Sequence, residues 1–199
     1  MDLKYQYWHF VAVLTDEVCD KIVKLGKTKI SKDGYKATVG KEKINEDIRK
    51  SKVCWFYDQW LYNLLCPYVY KANKNAGWNF NIENSEDIQF TEYKEGGYYT
   101  WHSDGGSDNH AKYTKENTKW ENYYGKVRKL SMTVNLSNKK DYDGGNFLIK
   151  INDQIITCKE ANNRGSIIVF PSFYQHKITP ITKGVRNSLV MWTLGKPFI

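Results

Sequence analysis

A histidine and an aspartate one residue apart, His102-Ser103-Asp104, close the run Tyr-Tyr-Thr-Trp-His-Ser-Asp at 98–104. In a strand, residues i and i+2 project from one face, so the imidazole and the carboxylate point one way and Ser103 the other. Alone, such a spacing is a weak signal, because it arises easily by chance. A second imidazole, His176, stands far along the chain in the apolar stretch Val-Phe-Pro-Ser-Phe-Tyr-Gln-His-Lys-Ile-Thr-Pro-Ile, 169–181. Two neutral imidazoles and one carboxylate form a facial set that suits Fe(II) and leaves three coordination positions open. Those positions can accept a bidentate cosubstrate and O2, which a closed four-ligand site could not. On its own His176 would read as a structural histidine, as His110 does in its loop and His9 near the start of the chain.

Ten residues after His176 comes Arg186, across the turn Thr179-Pro180-Ile181-Thr182-Lys183-Gly184. That turn should fold the next strand back beside the first, leaving Arg186 at the deep end of a pocket. A buried guanidinium needs an anion, and it forks onto a carboxylate with two parallel hydrogen bonds. 2-Oxoglutarate offers the match: its keto-acid end can chelate the metal while its distal carboxylate meets the arginine. Period two places Ser188, Val190 and Trp192 on the same face. Without the upstream histidine, Arg186 would read as an ordinary surface ion-pair residue.

Strands must position these groups, and from about Ser85 the chain is written in short strands and turns. They are expected near 86–94, 98–104, 128–137, 145–151, 154–159, 166–170, 174–179 and 186–194, in a sandwich or barrel-like roll. Asn152-Asp153 suits a tight hairpin. The first third reads as helical. Thr15 is a candidate N-cap with Asp16 and Glu17 in the first turn, Val18, Ile22 and Leu25 follow at helical spacing, and Gly26 supplies a stop. A loop is expected from Gly26 to Lys43, then a second helix over 58–73 that Pro67 should kink or break. The organisation expected is one domain, 1–199, with 1–84 as helical support and 85–194 as the β-core. Gly105 to Lys126 is a long polar connection whose two ends lie beside the metal. It is expected to be a flexible lid that orders over a bound peptide.

Composition narrows the setting. Apolar residues at 41% and aromatics at 15% exclude a disordered chain, and the seven Trp and fifteen Tyr favour β-structure and aromatic-lined pockets. The formal charge of +8 comes from thirty scattered Lys and Arg, which reads as a solvated basic surface; nucleic acid is not expected as a partner. The four cysteines are widely spaced with no C-x-x-C pair, as in a reduced cytosolic protein. No secretory signal and no run near the ~20 apolar residues of a membrane span is visible, so a cytoplasmic protein is expected.

His102, Asp104, His176 and Arg186 together resemble the Fe(II)- and 2-oxoglutarate-dependent dioxygenases, in the prolyl 4-hydroxylase-like branch. The supporting motifs are YKEGGYYTWHSD (93–104), RKLSMTVNLS followed by DYDGGNF (128–147), GSIIVFPSFYQH (165–176) and TPITKGVRNSLVMW (179–192). The N-terminal helices are similar to those of short bacterial and bacteriophage-encoded members, in which case the compartment would be the host cytoplasm.

The resemblance implies a mainly β fold, a double-stranded β-helix (jelly roll) with N-terminal α-helices. It also implies oxidative decarboxylation of 2-oxoglutarate to succinate and CO2, coupled to hydroxylation of an unactivated C–H bond, with ascorbate as reductant. Collagen-type members carry lysine where this chain has Arg186, which argues against collagen-like substrates. Halogenating relatives lack the carboxylate ligand, so Asp104 implies hydroxylation. By the same resemblance Tyr93, Ser131, Thr133, Asn135 and Ser188 would face the metal and cosubstrate. Arg128, Trp192, Tyr113, Trp120 and Tyr124 would meet a proline-containing peptide or protein. Two alternatives stand beside that reading: the same chemistry on a free amino acid or nucleobase, and a jelly-roll metal-binding module without turnover.

Overall fold

A computed structural model describes residues 3–33, 47–106 and 111–198. These contain two helices, α1 (Asp16–Asp33) and α2 (Gln59–Asn75), and fourteen strands. In the first half lie β1 (Trp8–Phe10), β2 (Arg49–Lys50), β3 (Lys52–Phe56), β4 (Asn84–Ser85), β5 (Ile88–Tyr93) and β6 (Tyr98–His102). The second half adds β7 (Val127–Asn135), β8 (Tyr142–Gly144), β9 (Phe147–Ile151) and β10 (Gln154–Thr157). It ends with β11 (Ile167–Pro171), β12 (His176–Ile178), β13 (Ile181–Gly184) and β14 (Arg186–Gly195).

The major sheet runs β1-β11-β7-β14-β5-β3 with β4 on β14, and the minor sheet runs β10-β9-β12-β6-β2. All pairings in both are antiparallel. This is the expected jelly roll, and the eight expected strands all form.

Side-chain alternation divides the interior into two cores. Along β11, Ile167 and Val169 join Leu130, Met132 and Val134 of β7 against the helices, with Leu61, Leu65 and Val69 of α2. Ile168 and Phe170 turn the other way and meet Phe147, Ile149 and Ile178 of the minor sheet. The polar residues Ser131 and Thr133 share that inward face, where they are free to build a site. Asn152 and Asp153 both take positive φ, 46° and 64°, as a two-residue hairpin between β9 and β10 requires.

Three expectations differ from the structure. The first third supplies strands as well as helices: β1, β2 and β3 extend the edges of both sheets. Runs of two to five residues are too short for a periodicity signal, and only pairing stabilises them. Pro67 lies inside α2 without ending it. It sits on the solvent face, where water can satisfy the carbonyl its missing N–H would have bonded.

Gly26 does not stop α1, which continues to Asp33; residues 34–46, which hold the rest of the expected loop, lie outside the described residues. The glycine serves packing instead, since a Cβ there would lie 2.5 Å from ring carbons of Phe90. Those are atoms near the root of a buried ring, which cannot swing clear. Gly26→Ala is therefore expected to cost on the order of 1–2 kcal/mol net, overpacking outweighing the gain in helix propensity. Thermal unfolding should show a melting point lower by several degrees, and an unchanged or raised value would mean the ring yields. Among the described residues no helix is long and apolar enough to cross a membrane, and none of the four cysteines is in a disulfide.

Candidate active site

His102 ends β6 and His176 begins β12, and antiparallel pairing sets the two directly opposite each other. Their ring centroids are 4.2 Å apart. Asp104 lies just past β6, held by backbone rather than by strand pairing: its N–H and that of Gly105 both donate to the Ser172 carbonyl, at 3.0 and 2.9 Å. Its Oδ1 is 3.7 Å from His102 Nε2 and its Oδ2 3.4 Å from His176 Nε2. One ligand atom from each of the three residues falls within 4.8 Å of the others.

The surroundings hold these groups in ligating form. His102 Nδ1 is 2.8 Å from the Thr100 carbonyl and His176 Nδ1 is 3.1 Å from the Tyr174 carbonyl. Each Nδ1–H is thereby committed as donor, leaving Nε2 free for a metal. Ser131 Oγ donates to Asp104 Oδ2 at 2.7 Å and lies 2.9 Å from Ser172 Oγ. Burial, reinforced by the neighbouring His176, pushes the His102 pKa down to about 4. Burial works against the ionised Asp104, but His176, His102, Arg128 and the Ser131 hydroxyl outweigh it and lower the carboxyl pKa. Neutral imidazole and ionised carboxylate are the states that coordinate.

The three residues open on a cavity of about 330 Å³ between the sheets. Arg186, paired with Tyr93 across β14 and β5, lines it at 1% exposure. Among the described residues, its buried Nε and Nη1 have no hydrogen-bond partner. An unmatched buried guanidinium is costly and calls for an explanation. A dicarboxylate chelating a metal at its other end provides one.

Tyr93, Thr133, Ser188, Arg128 and Trp192 also line the cavity. Arg128 donates from Nε and Nη2 to the two carboxylate oxygens of Glu86, both at 2.6 Å, and stacks 4.2 Å over the Trp192 ring. Asn135 does not reach the cavity. Its amide donates to the carbonyls of Ser137 and Asn162, at 3.0 and 3.1 Å, so it secures the chain leaving β7. Ser131 acts through Asp104.

The long connection also differs from expectation. Residues 107–110 lie outside the described residues, but 111–126 is docked on the body. Tyr113 OH donates to Glu86 Oε1 at 2.9 Å, its backbone pairs with Gly125 and Lys126, and Tyr123 OH donates to the Ser85 carbonyl. Tyr113 and Trp120 line a neighbouring recess of about 200 Å³ rather than the metal cavity; Trp55 borders both. Tyr124 lines neither. Tyr113→Phe removes a hydrogen bond to a charged group, worth about 1.5–3 kcal/mol. Tryptic cleavage at Lys115 and Lys119 should accelerate in that variant; an unchanged rate would place the anchoring elsewhere.

Sequence reasoning missed Arg49, Gln89, Tyr99 and Phe147, all lining the cavity. Tyr99 could have been found, three residues before His102 in the same strand, where its ring stacks on the imidazole at 3.5 Å. Arg49 carried no local signal.

Residues 88–194 match the model of the 2OG-Fe(II) oxygenase superfamily, and the chain belongs to that superfamily. Its members depend on Fe(II), 2-oxoglutarate and O2, and the His102, Asp104, His176 cluster has donors that fit the metal. Over 65 residues the chain is 42% identical to the PKHD-type hydroxylase MADE_1018490 of Alteromonas mediterranea, covering 32% of this chain and 27% of that protein. Other PKHD-type hydroxylases match over 40% of their own length, so the chain spans less than half of these curated relatives.

Among solved structures, a Pseudomonas putida prolyl-4-hydroxylase superposes with TM-score 0.71 at 17% identity, covering 96% of this chain and 93% of that one. A prolyl hydroxylase from Trichoplax adhaerens, solved with a hypoxia inducible factor oxygen degradation domain peptide fragment, gives 0.71 at 14% identity, covering 96% and 84%. At such identities the likeness establishes the fold.

Proposed function

We propose that this chain is a prolyl 4-hydroxylase acting on proline within a peptide or protein. In this reading His102, Asp104 and His176 hold Fe(II) through Nε2, carboxylate and Nε2, and Arg186 forks onto the distal carboxylate of 2-oxoglutarate. When bound, the metal and cosubstrate supply the oxidising chemistry, in which 2-oxoglutarate and O2 become succinate and CO2 while one oxygen atom enters a C–H bond. The protein's own part is placement. Thr133 and Ser188 flank the cosubstrate beside Arg186, Tyr93 faces it across the strand pair, and Phe147 and Phe170 keep the histidine side dry.

The observation that carries the reading is the buried Arg186, whose Nε and Nη1 find no hydrogen-bond partner among the described residues, in the same cavity as the three converging ligands. A module that only bound metal would have no use for it. The prolyl substrate is supported by the solved prolyl hydroxylases of the same fold, one holding a peptide. It is also supported by the aromatic and cationic wall of Trp192, Trp55 and Arg128, since pyrrolidine rings pack well on aromatic faces. Ascorbate would serve as reductant, and the reaction would take place in the cytoplasm.

Succinate release should be measured with Fe(II), 2-oxoglutarate and ascorbate against proline-containing peptides, free proline and oligonucleotides. Peptides should stimulate release and gain the mass of one oxygen atom. Stimulation by free proline or oligonucleotides alone would overturn the prolyl-peptide assignment.

A further inference from the structure

Arg49 is a second buried guanidinium on the wall of the metal cavity, 7% exposed. Its side chain leaves β2 of the minor sheet and crosses to β5 of the major one, donating from Nη2 to Gln89 Oε1 at 2.6 Å and to Thr91 Oγ1 at 3.3 Å. Nε donates to Ser51 Oγ at 2.9 Å. Every one of these acceptors is neutral, and among the described residues no carboxylate pairs with Arg49. A guanidinium carries a permanent charge, and buried charges are ordinarily matched.

The other charges of the cavity are spoken for. Asp104 lies against two imidazoles. Arg128 is matched by Glu86. In the reading above, Arg186 takes the distal carboxylate of the cosubstrate. Arg49 is left over.

Its position separates it from the cosubstrate arginine. Gln89 and Thr91 pair across the sheet with Val190 and Ser188, whereas Arg186 pairs with Tyr93. Two to four residues along a strand is roughly 7–13 Å. The guanidinium carbon sits 4.6 Å over the Tyr99 ring, whose other neighbour is His102 at 3.5 Å. Arg49 therefore stands beside the metal ligands and away from the Arg186 end, where a primary substrate would lie.

We infer that Arg49 reads a carboxylate on the primary substrate, close to the carbon that is oxidised. The carboxylate comes either from an acidic side chain next to the target proline or from the chain end of a C-terminal proline. The inference rests on the hydroxylase reading for its substrate class, but its test does not need turnover.

Protein loaded with Mn(II) and 2-oxoglutarate without oxygen would be titrated by calorimetry with two matched pairs. N-acetylproline against N-acetylprolinamide tests the chain end; N-acetyl-Pro-Asp-amide against N-acetyl-Pro-Asn-amide tests the side chain. In at least one pair the carboxylate should bind about tenfold more tightly or better. Arg49→Gln should bring that ratio to near one while Mn(II) and 2-oxoglutarate affinities hold. Arg49→Lys, which keeps the charge without the fork and the link between the sheets, should lower the ratio only in part.

Ratios near one in the wild type for both pairs would overturn the inference, as would a full ratio surviving in either variant. A loss of 2-oxoglutarate or Mn(II) affinity in Arg49→Gln with the ratio intact would make Arg49 a brace or a cosubstrate ligand instead. Failure of every peptide to be hydroxylated would sink the prolyl-hydroxylase assignment and leave these binding ratios standing.

Discussion

His102→Ala and His176→Ala are each expected to lose Fe(II) binding and all measurable turnover. Either change leaves two protein ligands, and two cannot retain an ion whose remaining positions must stay open to cosubstrate and O2. The backbone that holds each ring is set by β6 and β12 and survives the substitution, so the fold should persist while the metal is lost. Anaerobic Fe(II) titration should show the loss directly, with circular dichroism as the check on folding. Asp104→Ala should behave alike unless chloride fills the vacated position. Ser131→Ala tests the supporting contact separately: it removes the hydroxyl that orients the Asp104 carboxylate. Loss of such an orienting partner typically costs about 10–100-fold in metal affinity or activity. Full turnover in either histidine variant would sink the proposed ligand set.

Arg186→Ala is expected to raise the half-saturating concentration of 2-oxoglutarate strongly. Truncating one partner of a buried charge pair costs ~2–5 kcal/mol, or about thirtyfold to several thousandfold. The full penalty applies here because the carboxylate would be stranded in a cavity walled by packed strands. Arg186→Lys keeps the charge, loses the second hydrogen bond and should fall in between. The measurement is succinate formation against 2-oxoglutarate concentration at saturating Fe(II), with calorimetry of cosubstrate binding as an independent reading. Unchanged affinity in Arg186→Ala would move the distal-carboxylate site elsewhere, with Arg49 the next candidate.

Much of the site was legible because it is written in local rules. A strand puts i and i+2 on one face, so Arg186 lines up with Ser188 and Trp192 without any knowledge of the neighbours, whereas Asp104, just past the end of β6, also needs the Ser172 carbonyl to hold it beside His102. The same rule sorts Ile167 and Val169 from Ile168 and Phe170 into separate cores. Ligand chemistry is equally local: imidazole, carboxylate and guanidinium carry their donor atoms wherever they fold. That is why the eight strands of the β-core, and the candidates His102, Asp104, His176 and Arg186 that the fold brings to one cavity, could be written from residue types and spacing.

What the tertiary structure decided is everything that depends on a partner distant in sequence. Gly26 reads as a helix stop until Phe90 packs over it. Asn135 shares a strand face with Thr133, yet the carbonyls of Ser137 and Asn162 claim its amide where the strand ends. The segment around Tyr113 reads as an open lid until Glu86, already bound to Arg128, accepts its hydroxyl. Arg49 shows the limit most clearly. Two residues of strand have no periodicity to detect, and only pairing with Tyr98 and Tyr99 carries that guanidinium into the cavity. Short-range geometry specifies which face a side chain takes; the pairing of distant segments, driven by burial and backbone hydrogen bonding, specifies what it meets there.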